Sequence, residues 1–163
     1  MIEGRVWRYG DHVNTDVIIP GRYLDDYDLS SLAAHAMEDI DPGFSRGVRR
    51  GDVIVAGSNF GCGSSREQAP LVLKQIGVGA VVAAGFARIF FRNAVNVGLP
   101  VAICRDAVSL LEKGDVVSLD LRGGEVRRAS PPLTIPFDPL PSFLLDILDD
   151  GGLVPYMRKR LRE

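Results

Sequence analysis

Residues 57–66 read Gly-Ser-Asn-Phe-Gly-Cys-Gly-Ser-Ser-Arg, a run of glycine and serine that ends on a guanidinium. A turn of this composition brings backbone N–H groups up against an anion, and the start of a following helix adds about half a unit of positive partial charge. Arg66 is expected in the first turn of that helix, where its planar fork can grip a carboxylate or phosphate through two hydrogen bonds. An anion site is the smallest functional inference these residue types carry. The run lacks the Gly-Lys-Ser/Thr ending of a nucleotide-hydrolase phosphate loop, and its glycine spacing does not fit a dinucleotide fingerprint. Spacing alone leaves a plainer alternative open, in which the glycines permit a tight strand-to-helix turn and Ser64 or Ser65 only caps the helix. Other chemistry-bearing side chains are sparse. Two cysteines, Cys62 and Cys104, and two histidines, His12 and His35, are too few for a self-contained zinc or iron–sulfur site, so no metal is expected in this chain and any cluster must come from elsewhere.

The elements that hold this turn can be read on either side of it. Residues 52–56, Asp-Val-Ile-Val-Ala, form an apolar run bounded by glycines, the pattern of a strand buried on both faces. Leu71, Leu73 and Ile76 are spaced for a helix over 66–77 that ends at Gly77. Strand 80–84, helix 87–96 and strand 101–104 follow, so strand, turn, helix, strand, helix, strand predicts a mixed, partly parallel sheet flanked by helices. Ahead of these, 4–10 alternates like a half-buried strand, 15–21 is a short apolar stretch stopped by Pro20-Gly21, and 30–37 predicts a short helix capped by Ser30 or Ser31. Residues 39–51, with two glycines ahead of Gly51 and three arginines, predict a mobile surface loop. Beyond Asp106 a small hairpin pairs 116–121 with 125–128, a proline-rich stretch follows, and a helix over 142–148 precedes a basic end at 156–162.

Composition narrows the function. The 163 residues are 46% hydrophobic and 25% charged, enough for one α/β domain spanning 1–163 and too apolar for a disordered chain. Lys and Arg number 19 against 21 Asp and Glu, a formal charge of -2 that favours neither nucleic acid nor an anionic membrane. The apolar run 78–86 is far short of the roughly 20 residues a membrane-spanning helix needs, and residues 1–5 lack the basic-then-apolar order of a signal peptide, so a cytoplasmic protein is expected.

The string Gly63-Ser64-Ser65-Arg66-Glu67-Gln68-Ala69 strongly resembles the Gly-Ser-Ser-Arg-Glu motif of the aconitase superfamily. Two more strings, Asn14-Thr15-Asp16-Val17-Ile18-Ile19-Pro20-Gly21-Arg22-Tyr23-Leu24 and Phe86-Ala87-Arg88-Ile89-Phe90-Phe91-Arg92-Asn93, join it in resembling the small subunits of 3-isopropylmalate dehydratases, in the same order over residues 1–160. The resemblance implies a swivelling β/α domain like the mobile domain of aconitase, carried as a separate chain. It also implies a large subunit that holds a [4Fe–4S] cluster, in a heterodimer or heterotetramer, with no cofactor in this chain. The implied reaction is dehydration of a 2-hydroxy di- or tricarboxylate and rehydration at the neighbouring carbon, in leucine biosynthesis. By motif position, Ser64 is the base, Ser65 and Arg66 bind a substrate carboxylate, and Thr15 and Asp16 line the site. A serine is a poor base unless its alkoxide is stabilised, and the turn amides, the helix start and Arg66 are placed to do that. Arg88, Arg92, Cys62, Cys104 and both histidines are read as structural.

Substrate choice is expected from the loop 22–30, where Arg22, Tyr23, Leu24, Asp25 and Asp26 follow Pro20-Gly21. An arginine after Tyr23-Leu24 would suit a further substrate carboxylate; Asp25 stands there instead, which disfavours a homoaconitase small subunit, although three aspartates make a poor pocket for an isopropyl group. That homoaconitase or a related alkylmalate hydro-lyase is the close rival. A non-catalytic anion- or RNA-binding domain is the third alternative, disfavoured by the acidic balance and the lack of an aromatic-plus-basic stripe.

Overall fold

The expected strand 52–56 lies inside the sheet, paired in parallel on both sides. A computed structural model describes residues 1–163 and contains strands β1 (Ile2–Arg8), β2 (Val53–Ala56), β3 (Ala80–Ala83), β4 (Val101–Ile103), β5 (Val116–Asp120), β6 (Glu125–Arg128) and β7 (Leu133–Pro136). They form one seven-stranded sheet in the order β4-β3-β2-β1-β5-β6-β7. The first four positions pair in parallel and the last three antiparallel, so the mixed α/β class read from the sequence holds. Helices α1 (Thr15–Ile18), α2 (Leu29–Ala33), α3 (Phe44–Gly47), α4 (Gln68–Ile76), α5 (Arg88–Val97), α6 (Ala107–Leu110), α7 (Ser142–Asp149) and α8 (Leu153–Arg162) complete the chain.

Strands β2 and β3 are buried along their whole length because each alternate residue feeds a different cluster. Ile54, Ala56, Val81 and Ala83 pack under α2, α4, α5 and α7. Val53, Val55, Ala80 and Val82 meet Val117, Leu119, Val126 and Ile135 of β5, β6 and β7, so the antiparallel half of the sheet curls back over the parallel half. This packing explains why the two-faced apolar runs were legible as strands.

Several elements depart from the sequence reading. Helix α2 is capped by Asp28, whose carboxylate accepts from the Ser30 N–H at 3.0 Å, and not by Ser30 or Ser31. The segment read as a mobile loop, 39–51, contains α3, anchored by a fully buried Phe44 edge-on to Trp7 at 5.1 Å between ring centroids. The apolar stretch 15–21 begins as a helical turn, with the Asn14 carboxamide accepting from the Val17 N–H at 2.9 Å. Within the proline-rich stretch lies β7, and the basic end is a full helix, α8.

Asp52 ties β1 to β2 from inside. Its carboxylate is 3% exposed and accepts from the Trp7 indole N–H at 2.9 Å, the Arg49 and Arg5 backbone N–H groups and the Arg5 guanidinium. Burial alone would raise this carboxyl, but the Trp7 N–H, the two backbone N–H groups and the guanidinium outweigh it and hold its pKa below the usual carboxylate range. Asp52→Ala strands those donors, so urea unfolding at pH 7 is expected to show a loss of about 3 kcal/mol. Because the folded pKa is lowered, the contribution is complete above the unfolded value near pH 4 and disappears as pH falls through the folded value. The gap between wild type and variant should therefore shrink below pH 4, and a gap independent of pH would contradict this role.

Candidate active site

Three loops leave the carboxyl ends of the parallel strands β1, β2 and β3 and are laced together there. Gly57 N–H donates to the Gly10 carbonyl and His12 N–H to the Ser58 carbonyl, while Asn14 and Cys62 form an isolated parallel bridge. Phe60 N–H donates to the Gly85 carbonyl at 3.0 Å and Ala87 N–H returns to the Phe60 carbonyl at 2.9 Å. Crevices at this end of parallel strands are the usual ligand position of α/β sheets. The loop after β2 is shaped by Gly61, whose φ of +83° is left-handed and where a Cβ would meet the Phe90 ring 2.2 Å away. Phe60, Phe86 and Phe90 form the aromatic floor, with Phe60 edge-on to Phe90 at 5.2 Å.

Above this floor lies a pocket of about 280 Å³, lined by Thr15, Ser64, Ser65, Arg66, Arg88 and Asn93 among others. Helix α4 starts at Gln68 with Glu67 as its cap residue and no side-chain cap, so neither serine serves as the N-cap and Arg66 precedes the helix instead of standing in its first turn. Both serines are exposed. The backbone N–H groups of Gly63, Ser64, Ser65 and Arg66 donate to no protein acceptor, so this loop carries four unpaired donors beside the pocket. An anion cradle of the kind expected from composition would draw its donors from this loop, ahead of α4.

Arg66 is mostly buried. Its guanidinium is ion-paired with Asp16 and donates to the Ile19 carbonyl at 3.3 Å. Asp16 therefore holds and neutralises Arg66, a different position from a direct substrate ligand. Thr15, 2% exposed, donates from its hydroxyl to the Ser64 carbonyl at 2.8 Å and from its N–H to the Cys62 carbonyl at 2.8 Å. It positions the Ser64 peptide from below. Thr15→Val keeps the shape but removes that donor, and a displacement of Ser64 is expected to lower turnover roughly tenfold to a hundredfold, with Thr15→Ser restoring it and the unfolding midpoint nearly unchanged. Equal turnover in the valine and serine variants would show that the bond does not place Ser64.

The loop 22–30 is less open than its composition suggests. Arg22 pairs with Glu38 at 2.8 Å and Asp39 at 2.7 Å, and the Tyr23 hydroxyl donates to Glu38 at 2.5 Å while its ring stacks on His35 at 3.8 Å. The Tyr23 hydroxyl, His35 and Arg22 together hold the Glu38 carboxyl below its ordinary value. None of Arg22, Tyr23, Leu24, Asp25 and Asp26 lines the pocket, although the loop begins at its edge, where a Cβ on Gly21 would lie 3.4 Å from the Arg66 guanidinium. Asp25 and Asp26 are exposed.

What the residues alone did not show is the second wall. Arg88, read as a surface charge, and Asn93 line the pocket from the first two turns of α5, whose Ala87 cap residue provides no side-chain cap. The available signal was a cation in the first turn of a helix, where the dipole disfavours it.

A family model described as the aconitase C-terminal domain matches residues 12–105. The chain is 53% identical over 162 residues, covering 99% of it and 93% of the relative, to the methanogen homoaconitase small subunit of Methanothermobacter thermautotrophicus. It is 52% identical over 153 residues, covering 94% of this chain and 93% of the other, to the 3-isopropylmalate dehydratase small subunit of Halothermothrix orenii. A crystal structure of 3-isopropylmalate dehydratase from Methanocaldococcus jannaschii superposes with a TM-score of 0.93 at 48% identity, covering 98% of this chain and 94% of that one.

Proposed function

Since this chain belongs to the aconitase C-terminal domain family, we propose that it is the small subunit of a 3-isopropylmalate dehydratase, a hydro-lyase, with Ser64 as the base. The observation that carries the assignment is that Ser64, Ser65 and Arg66 line one small pocket at the strand ends, in a loop whose N–H groups at 63–66 are free. Its relatives over nearly the whole chain include several small subunits of such enzymes. A large subunit is the implied partner, as heterodimer or heterotetramer, and a cytoplasmic location belongs to the same reading, since both cysteines are free thiols.

No three His, Cys, Asp or Glu side chains converge on a metal position in this chain; Cys62 is half-buried in the loop and Cys104 is buried in the other cluster. The residues here do not make a cluster site, and the proposal assigns the [4Fe–4S] cluster to the large subunit. There it would supply Lewis acidity at the substrate hydroxyl.

The chain's own part is proton transfer. A C–H proton beside a carboxylate passes to the stabilised Ser64 alkoxide as the C–O bond on the neighbouring carbon breaks, its oxygen leaving on the large-subunit side, and the double bond forms; on rehydration that C–O bond forms at the other carbon and the Ser64 hydroxyl returns the proton. Serine is matched to this task only where negative charge on its oxygen is stabilised, and the free N–H groups of residues 63–66 and the Arg66 guanidinium supply donors fixed before reaction. Arg66 and Ser65 hold one substrate carboxylate, Asp16 orients Arg66 and Thr15 fixes the Ser64 peptide. The loop from Arg22 to Asp26, rooted beside Arg66, remains the proposed reader of the substituent that distinguishes related acids.

A homoaconitase small subunit is the second reading, favoured by the 53% identity to the Methanothermobacter thermautotrophicus protein. Specificity constants of the reconstituted enzyme for 3-isopropylmalate and homocitrate, measured side by side, decide between them. The expected result favours 3-isopropylmalate, because Asp25 and Asp26 offer no cation to an additional carboxylate. A preference for homocitrate would assign the chain to homoaconitase.

A further inference from the structure

We propose that Arg88 is a second substrate-binding residue, which takes the carboxylate that Arg66 does not. The assignment rests on the hydro-lyase function proposed above. Charge balance in the pocket carries it. A substituted malate brings two carboxylates, yet Arg66 is already ion-paired with Asp16, so that pair contributes almost no net charge to the entering dianion. Among the residues lining the pocket, Arg88 is the one other charged side chain. It is exposed, lines the same pocket as Ser64, Ser65 and Arg66, and has no carboxylate partner. Other arginines also lack a carboxylate partner, Arg92 on the same helix among them, but none of those lines the pocket.

The position of Arg88 is also electrostatically unfavourable without a ligand. It is the first residue of α5, where the helix already presents positive potential, and neither an acidic first-turn residue nor a side-chain cap offsets it. A bound carboxylate relieves both charges at once. Asn93, one turn further along α5 and also lining the pocket, adds a carboxamide that can donate to the same carboxylate. With Arg66 and Ser65 on one wall and Arg88 and Asn93 on the other, a dicarboxylate is held at both ends, and its C–H bond is presented to Ser64 between them.

The test uses Arg88→Gln and Arg88→Lys in the full chain, alone and reconstituted with the large subunit. For the reconstituted enzyme, Arg88→Gln is expected to raise KM for 3-isopropylmalate at least tenfold with a smaller change in kcat, and Arg88→Lys to recover part of the loss. For the isolated chain, succinate, a dicarboxylate that is not dehydrated, is expected to shift the amide resonances of residues 63–66 and 88–90 in wild type, with that response weakened in Arg88→Gln. Affinity for the large subunit should stay within twofold of wild type. An unchanged KM together with an unchanged succinate response overturns the assignment, as does weakened large-subunit binding with KM unaltered, which would make Arg88 an interface residue. Should the wild-type complex dehydrate no substituted malate while succinate binding still depends on Arg88, the dicarboxylate site stands and the hydro-lyase assignment falls.

Discussion

Replacing Ser64 with alanine is expected to leave a folded subunit that assembles normally and to lower kcat by about 10²–10⁴-fold, the range that loss of a positioned general base produces. The side chain is exposed in the pocket and packs in neither core cluster, so the unfolding midpoint should be unchanged. The helix behind it should be equally indifferent, because α4 takes no cap from Ser64 or Ser65. Loss of activity without loss of stability separates a base from a loop-former. A variant that keeps a tenth of wild-type turnover would move the base elsewhere in the complex.

Arg66→Lys should be the next most damaging change. Lysine keeps one positive charge, but a point charge on a flexible stem cannot pair with Asp16, reach the Ile19 carbonyl and present a fork to a carboxylate at the same time. Specificity constants for the reconstituted enzyme are expected to fall about ten- to a hundredfold, equivalent to roughly 1.5–3 kcal/mol for a charge-assisted hydrogen bond. Unchanged kinetics in the lysine variant would reduce Arg66 to a structural partner of Asp16.

Much of the scaffold was legible because its signals are local. The apolar runs of β2 and β3 and the glycine stop after α4, at Gly77 with φ of +107°, follow from periodicity and backbone sterics alone. The Ser64-Ser65-Arg66 loop was read as a contiguous string that resembles the Gly-Ser-Ser-Arg-Glu motif, since its spacing alone left a plain strand-to-helix turn open. What did not show depended on distant partners. Phe44 orders α3 only because Trp7 lies over it, 37 residues earlier in the chain. Asp16 proved to be the partner of Arg66, fifty residues away, and Thr15 the donor to the Ser64 carbonyl. Arg88 resembled a solvated surface charge until the bridge between Phe60 and Phe86 brought the start of α5 against the serine loop. The anchoring of the loop that holds Tyr23 did not show either, because the stacking on His35 and the bond to Glu38 join residues separated by twelve and fifteen positions.

The most direct measurement of the central claim is anaerobic mixing of the purified chain with its purified, cluster-loaded large subunit, following formation of the unsaturated diacid from 3-isopropylmalate by ultraviolet absorbance. Turnover is expected to appear only when both chains are present, to saturate as this chain is titrated in, and to be lost when the Ser64→Ala chain replaces it. Dehydration by the large subunit alone at the same rate, or full activity with the Ser64→Ala chain, would contradict the assignment of proton transfer to this subunit.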